Sequence, residues 1–157
     1  MKQTAYLDST IPSYLFDQRD SIRQFIEITK RWWKEERDHF RIVVSEATLI
    51  EVGDGSHPYK EQILKCVSDL EVLTPDPAID EIVKTYVKNQ LMPRGTTGDA
   101  AHLAYASFYH AGFLLTWNCN HLANANKKKH ILTINGRLDL PTPEIVTPME
   151  LFTETEE

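Results

Sequence analysis

Three acids and an amide in this chain stand where short apolar runs stop or start. Asp8 closes the run TAYL, Glu51 follows SEATLI, Asp99 opens DAAHLAYA, and Asn118 follows FLLTW. Carboxylates repel one another when gathered, so several sharing a cleft are stable only around a hard cation such as Mg²⁺ or Mn²⁺. That makes Asp8, Glu51, Asp99 and Asn118 a candidate oxygen-donor set, with the hydroxyl of Thr116 beside it. A softer alternative sits in the same stretch, Cys119 with His121. It fails on ligand number: Cys66 and Cys119 are the only cysteines, no CxxC spacing occurs, and zinc wants about four N, S or O ligands.

Positioning such a set requires elements that bring the four to one edge. TAYL (4–7), IVV (42–44), EVL (71–73), FLL (113–115) and EIVT (144–147) read as short buried strands. Between them lie helical stretches. Ile22, Phe25, Ile26, Trp32 and Trp33 share one face over 19–39, Ser45 caps a helix that Gly53 would stop, and 59–70 is helical. Ile79, Ile82, Val83, Tyr86, Val87 and Leu91 mark a helix over 80–91, which the loop 93–98 separates from the helix opened by Gly98 and Asp99. After FLL we expect a short helix near 122–125, the Lys127–Lys129 run and a Pro-rich stretch. Apolar strands alternating with helices imply an α/β fold: a three-layer α/β/α sandwich around a mainly parallel sheet. In such a sheet the strand C-termini share one edge, so Asp8, Glu51, Asp99 and Asn118 would meet there.

The bulk numbers frame this reading. At 157 residues the chain is one domain, expected over 1–152 with a frayed acidic tail at 153–157. A net charge of −6 argues against non-specific nucleic-acid binding by the whole surface, but not against a nuclease whose acids hold a cation. No run approaches the roughly 18 apolar residues of a membrane span. The opening residues meet an acid at position 8, short of a signal-peptide apolar region, so a cytoplasmic location is expected.

Four blocks together resemble the PIN-domain ribonucleases, in particular the VapC toxins of toxin–antitoxin pairs. They are Tyr6-Leu7-Asp8-Ser9-Thr10, Ser45 to Glu51, Gly98 to Ala106 and Leu114 to Asn118, and the resemblance covers nearly the whole chain. It implies that Asp8, Glu51 and Asp99 hold a Mg²⁺ or Mn²⁺ ion and that the hydroxyl of Thr116 steadies the cluster. The family's frequent fourth acid falls on Asn118, whose amide offers an oxygen but neither charge nor a proton acceptor. The implied activity is metal-assisted hydrolysis of RNA, leaving a 5′-phosphate and a 3′-hydroxyl, with Asp8 or Asp99 taking the water proton. The implied partners are an RNA substrate, a small antitoxin protein docking near the early helices, and a second copy of the chain in a homodimer.

Other residues have two readings each. Lys127, Lys128, Lys129 and Arg137 would hold the RNA backbone or simply form a solvated face. His102, three residues after Asp99, would orient that acid or be a partly buried histidine, and His121 would touch substrate. Trp32 and Trp33 pack in the core or against a partner. Two rival functions compete with the nuclease. A PIN-like domain that binds RNA or protein without turnover is favoured by Asn118. A phosphatase of the haloacid dehalogenase type is suggested by Leu7-Asp8-Ser9-Thr10, although that chemistry wants an acid where Thr10 stands. No Gly-rich phosphate loop follows a strand, which disfavours a nucleotide-binding module.

Overall fold

The computed structural model describes residues 2–54, 57–92 and 97–153. Its five strands are β1 (Gln3–Leu7), β2 (Phe40–Val44), β3 (Glu71–Val72), β4 (Phe113–Leu115) and β5 (Glu144–Val146). They form one sheet in the order β3-β2-β1-β4-β5, with every pairing parallel. The order reverses between β1 and β4, one connection running outward to each side. In open parallel sheets the crevice beyond the strand ends at such a reversal is where ligands bind.

Seven helices cover the sheet: α1 (Thr10–Phe16), α2 (Arg23–Glu35), α3 (Glu46–Asp54), α4 (Lys60–Ser68), α5 (Pro77–Lys88), α6 (Thr97–Phe108) and α7 (Ala125–Arg137). Side chains alternate across a strand, so neighbouring residues enter opposite layers. Tyr6, Val43 and Leu114 pack with Ile82, Tyr86, Leu103, Ala104, Ile131 and Ile134 of α5, α6 and α7. Leu7, Val44 and Leu115 pack with Ile11, Trp32, Val52 and Ile63 on the other face. The three-layer α/β/α sandwich is therefore present. Small residues bring α6 close to the sheet: Ala100, Ala104, Ala106 and Ser107 are fully buried.

Several boundaries differ from the sequence expectations. The stretch 19–39 is not one helix: a 3₁₀ turn (Asp20–Ile22) precedes α2 and another (Arg37–His39) follows it. Helix α3 runs through Gly53 to Asp54 rather than stopping there. Helix α5 starts at Pro77 instead of Asp80, because the Asp76 side chain accepts the Ala78 N–H and Pro77 suits the first helical position. The expected short helix at 122–125 is absent; Asn124 instead caps the 13-residue α7, which absorbs the lysine run. The expected loop over 93–98 lies partly outside the described residues, and α6 already includes Thr97 and Gly98. Of the expected tail, Thr153 donates to both carboxylate oxygens of Glu36 (2.9 and 3.0 Å), and 154–157 lie outside the described residues.

Candidate active site at the sheet switch point

The register places the centre of the site. Leu7 pairs with Leu115, so Asp8 and Thr116, the next residues of each strand, emerge side by side where the strand order reverses. By the two-residue period both point to the layer that Tyr6 and Leu114 enter, which is the layer of α6. Asp8 is 2% exposed. Its Oδ1 accepts the backbone N–H of Thr10 at 3.0 Å and the Thr10 hydroxyl, and its Oδ2 accepts the Thr116 hydroxyl. Burial pushes the Asp8 carboxyl above its ordinary range, against the pull of His102 and of the bonds from Thr10 and Thr116.

The loop after β4 is locked to the same point. Trp117 N–H donates to Thr10 Oγ1 (2.9 Å) and Asn118 N–H to Thr116 Oγ1 (2.9 Å). The Trp117 ring is wedged between Tyr14 and Phe25, and its indole N–H donates to Thr29 at 2.8 Å. Asn118 is fixed at both ends of its amide. The oxygen accepts the N–H groups of Asn120 and His121 (3.1 and 3.0 Å), and the nitrogen donates to Asp99 Oδ2 at 3.0 Å. Burial raises the Asp99 carboxyl too, opposed by His102 and by the Asn118 bond.

Glu51 reaches the cleft from α3 and is held differently. Its Oε1 accepts from Nε2 of His102, and its Oε2 accepts from the Ser9 hydroxyl at 3.2 Å. His102 is 1% exposed, and its Nδ1 lies 2.7 Å from the Tyr6 hydroxyl, itself 2.7 Å from Ser45 Oγ. Glu51 also lies against the N-terminus of α6: a Cβ on Gly98 would stand 3.1 Å from the Glu51 carboxyl carbon. Burial works to raise the Glu51 carboxyl, but the bond and charge of His102 with the Ser9 bond hold it below its ordinary range. Burial likewise disfavours a charged His102, yet Glu51, Asp8 and Asp99 together raise it above its ordinary value.

The structure thus links Asp8, Thr116, Asn118 and Asp99 in one hydrogen-bonded chain, with Glu51 beside it. Each acid has its own protein donor: Thr116 and Thr10 for Asp8, Asn118 for Asp99, His102 for Glu51. Hydrogen bonds to the charged form favour ionised carboxylates at such close quarters. The set is chemically suited to a hard ion. However, among the described residues no group of three or more His, Cys, Asp or Glu side chains is arranged to hold a metal.

The remaining candidates divide. His102 does not bond Asp99; it is a fully buried link between Tyr6 and Glu51. The ring of His121 has a buried Nδ1 without a hydrogen-bond partner, and Cys119 is exposed and free. Lys127, Lys128 and Lys129 lie in the first turns of α7, at the sheet edge that carries the acids. Lys127 donates to the Leu91 carbonyl at 3.0 Å, and Lys128 lines an open pocket between α7 and β5. Arg137 ends the same helix, about 15 Å from Lys127 at 1.5 Å per residue, and is not brought to the site. Trp32 is a core residue whose indole N–H donates to the Leu151 carbonyl, and Trp33 is partly buried under Arg37.

Tyr6, Thr10, Ser45 and Gly98 also belong to the site, although sequence reasoning gave them no role in it. Thr10 was legible as a hydroxyl two residues after an acid, the spacing of a local side-chain turn. Tyr6 was legible only as a buried phenol in need of a partner.

No known protein-family signature matches the sequence, and no curated protein matches it. Among solved structures, a chain from a toxin-antitoxin complex of Klebsiella pneumoniae is similar, with a TM-score of 0.58 and 19% identity. The match spans 92% of this chain and 97% of that one. At that identity the likeness speaks to the fold alone. No described helix is long and apolar enough to cross a membrane.

Proposed function

We propose that the chain is a divalent-metal-dependent ribonuclease of the PIN type and the toxin of a toxin–antitoxin pair. The observation that carries this reading is the buried carboxylate of Asp8 at the sheet reversal, joined through Thr116 and Asn118 to Asp99. Asp8 and Asp99, both raised by burial, offer hard oxygen donors, and a Mg²⁺ or Mn²⁺ ion would offset the cost of burying their charge. The ion, when bound, would supply Lewis acidity for phosphodiester hydrolysis. Thr10 and Thr116 keep the Asp8 carboxylate in one orientation, and Asn118 does so for Asp99. One of these two acids would accept the proton of the attacking water. The lysines Lys128 and Lys129, at the positive end of the α7 dipole, would attract the RNA backbone. The similarity in fold to a chain of a toxin-antitoxin complex supports an antitoxin protein as partner.

A second reading has its own observation. Glu51 is paired with His102, and Asn118 presents an N–H group to Asp99 where an acid would present another oxygen. A PIN-like domain that binds RNA or a protein without turnover would look like this. The two part in one experiment: incubation with structured RNA in Mg²⁺, in Mn²⁺ and in chelator. The nuclease reading expects cleavage with either metal, 5′-phosphate ends and none in chelator. RNA binding without cleavage under any metal would overturn it in favour of the second.

A further inference from the structure

One aromatic side chain at the rim of the cleft belongs to neither core layer. Trp117 packs into the layer of Leu7, Ile11 and Leu115, and its indole N–H is anchored on Thr29 at 2.8 Å. Tyr14 lies outside both apolar clusters, stacked on the Trp117 ring with centroids 5.9 Å apart and planes 15° from parallel. Resting on the ribonuclease reading, we propose that Tyr14, backed by Trp117, is a stacking subsite for one unpaired base of the RNA, beside the phosphate presented to Asp8.

The placement follows from α1. Tyr14 is one helical turn beyond Thr10, and both meet Trp117: Thr10 through the Trp117 backbone N–H, Tyr14 through the ring. Burial raises the Tyr14 hydroxyl, and Arg19, Asp17, Asp8 and Cys119 all lie close enough to act on it. The ring therefore stands between the Asp8 carboxylate and the Asp17–Arg19 ion pair. Trp117 covers one face of Tyr14, yet the side chain is only partly buried, and its neighbour Cys119 is exposed. The backing is held on three sides, by Thr29, by Thr10 and by Phe25 against the ring at 5.0 Å. A platform ordered before the base arrives loses little conformational entropy on binding. Charge argues the same way. Acids at the cleft repel phosphates, and a net charge of −6 adds no general attraction for RNA. Stacking needs no charge and accepts any base that is not already held in a duplex.

The test is fluorescence anisotropy in chelator, with a single-stranded RNA and a duplex RNA of equal length, each at several salt concentrations. Tyr14→Leu should weaken single-strand binding about tenfold or more and leave duplex binding within about twofold of wild type. Tyr14→Phe keeps the ring and should stay within about twofold of wild type on both RNAs. The salt dependence of Tyr14→Leu should match that of wild type, because no phosphate contact is lost. Equal losses on the single strand and the duplex would overturn this inference alone. Wild-type affinity in Tyr14→Leu would do the same and leave the Tyr14 face to a protein partner. Wild-type protein that binds neither RNA, in chelator or in Ca²⁺, would overturn the ribonuclease reading and this inference with it.

Discussion

The amide nitrogen of Asn118 donates to Oδ2 of Asp99 at 3.0 Å, while its oxygen accepts the N–H groups of Asn120 and His121. An acid at this position could keep the turn but not the bond, since it has no N–H to offer Asp99. The amide therefore exchanges charge at the cleft for a direct hydrogen bond to Asp99.

Asn118→Asp should accordingly destabilise the protein in metal-free buffer by about 1–3 kcal/mol, the cost of a half-buried acceptor losing its donor and facing a like charge. Thermal denaturation should show a larger stabilisation by Mn²⁺ in the variant than in wild type. An unchanged melting temperature without metal would mean that the Asn118–Asp99 bond contributes nothing.

Thr116 is fully buried, and its hydroxyl serves Asp8 as donor and Asn118 N–H as acceptor. Thr116→Val keeps the shape and removes both bonds, so chemical denaturation should register a loss of about 1–3 kcal/mol. Thr116→Ser should retain most of the stability. Equal losses in both variants would point to packing of the methyl group instead of the hydroxyl.

Acid stability should report on Glu36. Burial works to raise its carboxyl, but the bonds from His39 and Thr153 together hold it below its ordinary range. A folded-state value below the unfolded one contributes stability that is present above about pH 4.5 and lost as pH falls through the lowered value. Urea unfolding from pH 3 to 6 should show wild type and Glu36→Gln converging as the pH falls. Parallel curves across that range would contradict this.

The lysines at the start of α7 and Arg137 at its end should separate in RNA binding. Replacing Lys128 and Lys129 with alanine should weaken binding and reduce its salt dependence, as expected when phosphate contacts are lost. Arg137→Ala, about 15 Å along the helix from Lys127, should leave both unchanged. Fluorescence anisotropy at several salt concentrations distinguishes the two, and a larger effect from Arg137→Ala would move the RNA path to the opposite edge.

What could be read from the sequence follows from how local each signal is. The strands at 4–7, 42–44 and 113–115 are compact apolar runs, and Asp8, Glu51 and Asn118, which follow them, fall at one edge because the sheet is parallel. Helix α7 was obscure because its apolar face rests on little more than Ile131 and Ile134 within a polar, lysine-rich stretch that also buries Asn135. The Asp76-Pro77 start of α5 was present in the sequence as a cap signal but carried no apolar periodicity to draw attention to it. The chain of Tyr6, His102 and Glu51 joins residues 96 and 51 positions apart, and nothing local encodes such contacts.

The central claim is that the Asp8 carboxylate is the core of a metal-dependent ribonuclease site. It is tested most directly by cleavage of structured RNA in Mg²⁺ or Mn²⁺ by wild type and by Asp8→Asn, with RNA binding measured in parallel. The account predicts cleavage by wild type, its abolition in Asp8→Asn, and comparable RNA binding by both. Equal cleavage by the two proteins would contradict it.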